Sequence, residues 1–167
     1  MSAYLAQMYW PVRLSSLRAH TLAQNIPDWI KAGDTPYLGE IAQSCRRFRE
    51  IEAERPLLQV ASPARLRAQH AALVNAYIHM RQDCRGARAT ALAARRAIYR
   101  AASTGRAVDR AGANKAVKEA RQSLAAFVRT TVSSLDARLS AWRSAVLRVE
   151  RAAGAAAPAW VQRLPAI

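Results

Sequence analysis

The side chains with the most chemical reach in this chain are three histidines, His20, His70 and His79, and two cysteines, Cys45 and Cys84. A di-iron centre of the ferritin kind needs Glu-x-x-His pairs projecting into a bundle, and no glutamate stands three residues before any of these histidines. Neither His-x-x-x-His nor Cys-x-x-Cys occurs, so the usual zinc spacings are missing. A phosphate loop needs G-x-x-x-x-G-K-[ST] after a strand. Gly105 and Gly112 are too far apart for it, and no lysine follows Gly112. The G-x-S-x-G elbow of serine hydrolases is also lacking. We therefore expect no catalytic residue, no metal and no cofactor.

His70 belongs to a regular series. Leu66, His70, Leu73, Tyr77, Met80, Cys84, Ala87, Ala91, Ala94 and Ile98 recur at alternating spacings of four and three, the a/d seam of a heptad. Ser62 and Pro63 read as an N-cap followed by proline at the first helical position. The pattern predicts a helix over 62–103, a rod of roughly 60 Å. A histidine on that seam reads first as a core-edge residue hydrogen-bonded to a nearby acceptor, and second as a ligand or pH-sensing group.

The remaining elements must flank that rod. Residues 1–34 read as an N-terminal helix, patterned by Leu5, Met8, Val12, Leu17 and Leu22, followed by a connector holding Pro27 and Gly33. Tyr4, Tyr9 and Trp10 make this end aromatic. It reads as a core or docking helix, and less well as a membrane-surface segment, since its polar face carries only Arg13 and Arg18. A helix over 35–55 opens on Thr35-Pro36 and stops at Pro56, with Leu38, Ile41, Cys45 and Phe48 on one stripe. A second long helix over 106–153 follows the reversal at Ser103–Gly105. Its stripe steps 4-4-4 from Phe127 to Leu139, where a strict heptad must relax. The tail, 154–167, carries Trp160 and Leu164 and reads equally as a frayed end or a packed cap. The expected fold is a single all-α domain: an antiparallel three- to four-helix bundle in which two long helices form a coiled-coil-like hairpin.

Cys45 and Cys84 both fall on seam stripes. Two buried thiols and a disulfide between the two helices are both compatible with that placement. Cys45 lies about 15 Å from the end of its helix and Cys84 about 31 Å from the start of the next. A tight turn would leave them some 16 Å out of register, whereas bridged Cα atoms stand about 4.4–6.8 Å apart. They meet only if residues 56–62 run onward along the bundle, which seven residues can do.

The chain carries 26 basic and 11 acidic side chains, a net charge of +15. Residues 1–55 are nearly balanced, with 7 basic and 6 acidic groups, whereas 56–104 hold 8 and 1, and 105–167 hold 11 and 4. Arg67, Arg81, Arg88 and Arg95 line up at e positions beside the seam, and Asp83 is the one acid between Pro56 and Thr104. The row either pairs with Glu40, Glu50, Glu52 or Glu54 of the preceding helix, or forms a cationic stripe. Such a stripe would hold nucleic acid through phosphates, without sequence readout.

The runs TPYLGEIAQSCRRF and SPARLRAQHAALVNAYIHMRQDCRGARATALAARRA resemble uncharacterised Ala/Arg-rich helical-bundle proteins of high-GC, actinobacterial-type bacteria, many of them secreted or lipid-anchored. Cys45, Pro63, Leu66, Arg67, His70, Leu73 and Cys84 carry the likeness. It implies a four-helix bundle with a Cys45–Cys84 bridge and no activity.

Together these features lead us to expect a non-enzymatic structural or protein-interaction bundle that binds a protein partner or itself. The alternative is a basic nucleic-acid-associated protein. No apolar run is long enough to cross a membrane and no signal peptide is evident. The chain as written is therefore expected in the cytoplasm, or exported if its start codon is misplaced.

Overall fold

The computed structural model describes residues 1–54, 57–164 and 167, the side chains of 52–54 excepted. Those residues form four rods: α1 (Ser2–Ala32), α2 (Thr35–Glu54), α3 (Arg67–Thr104) and a fourth made of α4 (Ala107–Phe127) and α5 (Ser133–Ala152). A π-helical turn, Val128–Val132, joins α4 to α5, and a short α6 (Ala159–Gln162) lies in the tail. No strand occurs among the described residues. The fold is an all-α bundle.

The topology is up-down-up-down. Gly33 and Gly105 take left-handed conformations (φ 76° and 63°) and reverse the chain after α1 and α3, a geometry that glycine adopts without a Cβ penalty. One continuous cluster of buried residues runs through all four rods. Trp29, Tyr77, Phe48 and Trp142 are its largest fully buried members. On α3, every seam residue from Leu66 to Ala94 named above is buried. Toward the hairpin tip the seam narrows to Ala87, Ala91 and Ala94, so α4 approaches over small side chains.

Several boundaries differ from the sequence expectation. Residues 25–32 are not a connector: α1 runs unbroken through Pro11 and Pro27 to Ala32. A proline inside a helix costs about 3 kcal/mol, and the burial of Ile26 and Trp29, neither exposed at all, offsets it. Pro63 does not open α3. It caps a 3-10 turn, Ala64–Leu66, and α3 starts at Arg67. The long helix expected over 106–153 is interrupted by the π turn. There the sequence steps 4-4-4, and the extra residue keeps Phe127, Thr131, Leu135 and Leu139 all buried. The tail is packed, with Val161 and Leu164 in the core cluster. The stop expected at Pro56 lies outside the described residues.

Candidate functional site

His70 is held in the core by a three-residue relay. The indole Nε1–H of Trp142 donates to the Tyr4 hydroxyl at 2.8 Å. That hydroxyl lies 3.0 Å from Nδ1 of His70. Since the Tyr4 oxygen accepts from Trp142, its own proton is free to donate to Nδ1 of the Nε2–H tautomer. The backbone of Val60 also lies against the ring and favours its protonated form. Burial lowers the His70 pKa, and the Val60 bond opposes that. Burial also pushes the Tyr4 hydroxyl up to about 12, against the bond from Trp142. The relay ties α1, α3 and α5 together at one end of the bundle. His70 is buried there with its partners.

Cys45 and Cys84 meet, as free thiols, between α2 and α3. The segment between the helices provides the axial offset: a 3-10 turn at Leu57–Gln59, irregular backbone at 60–63 and a second 3-10 turn at Ala64–Leu66. The two side chains are adjacent, so the register that a bridge would need is met, and both stand as free thiols in this structure. The hydrogen bond with Cys45 raises the Cys84 thiol pKa strongly, with burial and the Asp83 carboxylate acting the same way and Arg49 against them. Both thiols are fully buried, so the pair has the character of packing rather than of a nucleophile.

The four row arginines do not behave alike. Arg67 and Arg81 are exposed, and Arg88 and Arg95 are half-buried. Arg95 lies down in the α2–α3 groove. Its guanidinium sits 5.3 Å from the centre of the Tyr99 ring and packs over Gly39, where a Cβ would come within 3.6 Å of it. Gly39 thus makes room for Arg95, a pairing that spacing alone does not reveal. Among the described residues the ion pairs are Arg46–Glu50, Arg106–Asp109 and Lys115–Glu119, each between residues three or four apart. Glu40 accepts from Asn25 at 3.0 Å. The glutamates offered as partners for the row are therefore taken by their own neighbours, or, for Glu52 and Glu54, have side chains outside the described residues. Arg18 stands close enough to Arg47 for their charges to repel, and burial with that repulsion lowers its pKa.

At the α3–α4 reversal the cations continue past the end of α2. Residues 102–108 are all exposed, and the exposed Arg96, Arg100, Arg106 and Arg110 lie close in the chain to the half-exposed Tyr99 or the exposed Val108. Arg95 lowers the pKa of the Tyr99 hydroxyl by hydrogen bonding to it.

An open cleft of about 340 Å³ lies beside the π turn, with Asp83, Gly86, Thr90, Ser123 and Thr130 in its wall. Thr131 donates to the Asp83 carboxylate at 2.6 Å, and Thr130 to the carbonyl of Ala126 at 2.8 Å. These hydroxyls satisfy local acceptors, and no histidine or cysteine lines the cleft. Among the described residues no three His, Cys, Asp or Glu side chains gather as metal ligands, and no helix is long and apolar enough to cross a membrane. No protein-family model, curated protein or solved structure matches the chain. Its functional reading rests on its own surface chemistry.

Proposed function

We propose that this chain is a non-enzymatic interaction bundle whose arginine face, on the outer side of α3 and around the α3–α4 tip, docks on an acidic protein partner. The observation that carries the reading is the absence, among the described residues, of any carboxylate paired with Arg67, Arg81, Arg88 or Arg95. An arginine face without internal partners presents forked donors suited to carboxylates and phosphates. The field of a +15 chain draws anions toward it.

A fluorescence titration against polyglutamate at about 50 mM salt tests the reading. Replacing Arg67, Arg81 and Arg88 by glutamine should weaken binding far more than replacing Arg129, Arg138 and Arg148, which are all exposed and lie on the fourth rod. The two triple variants carry the same net charge, so equal losses would show a general charge effect and remove the row from the argument. A nucleic-acid reading has one specific support: the half-exposed Tyr99 ring carries the Arg95 guanidinium against it, and an exposed aromatic ring beside a cation can stack a base. Random duplex and single-stranded DNA in the same titration test it, and no binding at about 50 mM salt would remove it.

A further inference from the structure

Helix α1 has two apolar faces, and the bundle covers only one. Leu5, Met8, Val12, Ala19, Leu22 and Ile26 are buried against the other rods. On the opposite side, Ala3, Ala6, Trp10, Arg13 and Leu17 are all exposed. Their spacing of three, four, three and four places them on a single line of the helix. Trp10 and Leu17 are each 48% exposed, unusual for large apolar side chains on a packed helix.

The surroundings of that line are cationic and aromatic. Residues 1–27 contain no acid, and the first in the chain is Asp28. The Trp10 ring stands edge-on to Tyr9 at 4.8 Å, and Tyr9 edge-on to Trp160 at 5.4 Å. Arg13 lies over the Tyr9 ring and bonds its hydroxyl. Beside this cluster lies a cleft of about 220 Å³ whose wall includes Arg13 and Arg163 together with Trp160 and Leu164. Cations thus border an apolar floor, the arrangement that meets a phosphate attached to hydrocarbon.

We propose that this face of α1, with Trp10 and Leu17 as its apolar contacts and Arg13 and Arg163 as its cationic ones, docks on an anionic phospholipid surface. Tryptophan suits the headgroup boundary, where its ring is apolar and its N–H meets water. An amphipathic helix with arginines beside its apolar line binds in the plane of the interface. Charge selects this occupant over a second copy of the chain: two molecules of net charge +15 repel, whereas anionic headgroups attract. The proposal is independent of the arginine row and concerns a different face.

Co-sedimentation with vesicles of phosphatidylcholine, with and without phosphatidylglycerol, tests it. Trp29 and Trp142 are fully buried, so quenching by brominated lipid reports on Trp10 and Trp160. The wild-type chain should bind only the anionic vesicles and be quenched there. The double variant Trp10→Ala/Leu17→Ser should keep its helical circular dichroism, bind at least about tenfold more weakly and lose most of the quenching. Replacing Arg67 and Arg81 by glutamine should not reduce the quenching at saturating lipid. Undiminished binding by the double variant would overturn the proposal, as would equal binding to pure phosphatidylcholine. A lipid-free dimer that the double variant abolishes, with no vesicle binding by either protein, would assign the face to a second copy instead.

Discussion

The hydroxyl of Tyr4 makes the core around His70 sensitive to protons in both directions. The neutral His70 ring accepts from Tyr4, and its pKa is lowered by burial, so the unfolded chain takes up a proton before the folded one does. The resulting stability is complete above the unfolded histidine value of about 6.5 and is lost as pH falls from there through the lower folded value. Tyr4 acts oppositely. Its pKa is raised to about 12, so its contribution is complete below about 10 and declines as pH rises toward 12. Urea midpoints at pH 8 and pH 5 should show a loss in the wild-type chain that His70→Gln does not share. His20 and His79 are present in both proteins and cancel. The thiols give a second expectation. Cys84 is held strongly on the thiol side by Cys45, burial and Asp83, and alkylation proceeds through the thiolate. Iodoacetamide should leave both cysteines unmodified in the folded chain at pH 7.5 and modify both in denaturant, without prior reduction. One intact bridge in the mass spectrum would contradict the free pair.

At the scale of elements, the π turn is the feature with most leverage. It inserts one residue into the fourth rod so that α5 presents Leu135, Leu139, Trp142 and Val146 to the core in phase with α4. Its loosened backbone is held by side chains: Ser133 donates to the carbonyl of Val128 at 2.9 Å and Thr131 to Asp83. Deleting the exposed Thr130 should convert the turn to α-helix at a cost of about 1–2 kcal/mol, mostly in lost hydrogen bonds. Deleting Arg138, equally exposed, should be far more damaging, because every later core residue then turns by about 100° away from its site. Chemical denaturation of the two deletants separates these outcomes. The position of the turn was readable in advance, because the 4-4-4 steps marked where a heptad fails. The α3 seam was equally plain, since one side of that helix is buried along almost its whole length. The extent of α1 was not: Pro27 is a strong local signal, and its override depends on how deeply Ile26 and Trp29 are buried. Nor could spacing expose the His70 relay, whose Tyr4 and Trp142 stand 66 residues before and 72 after it, or Arg95, whose place is set by a glycine on another helix.

For the molecule as a whole, the uneven charge makes the folded state repel itself. Ion pairs among the described residues are few and local, and exposed pairs of that kind contribute about 0–1 kcal/mol each. Compaction brings cations such as Arg18 and Arg47 together. Added salt screens such repulsion more than it weakens these pairs. Melting temperature should therefore rise between about 20 and 500 mM sodium chloride, and a fall would mean that attraction dominates the surface.

The Tyr4–Trp142 hydrogen bond spans 138 residues, whereas α1 packs on α2, α2 on α3 and α3 on α4, each pair adjacent in the chain. Helical hairpins between neighbours close short loops and form early, while a distant contact pays a larger closure entropy. The bundle should zip from hairpin to hairpin and shut last where α1 meets α5. Trp142→Phe should then quicken unfolding and leave the refolding rate nearly unchanged, the kinetic mark of a contact made after the transition state. The relay around His70 is, in that sense, the latch that sets how long the closed bundle lasts.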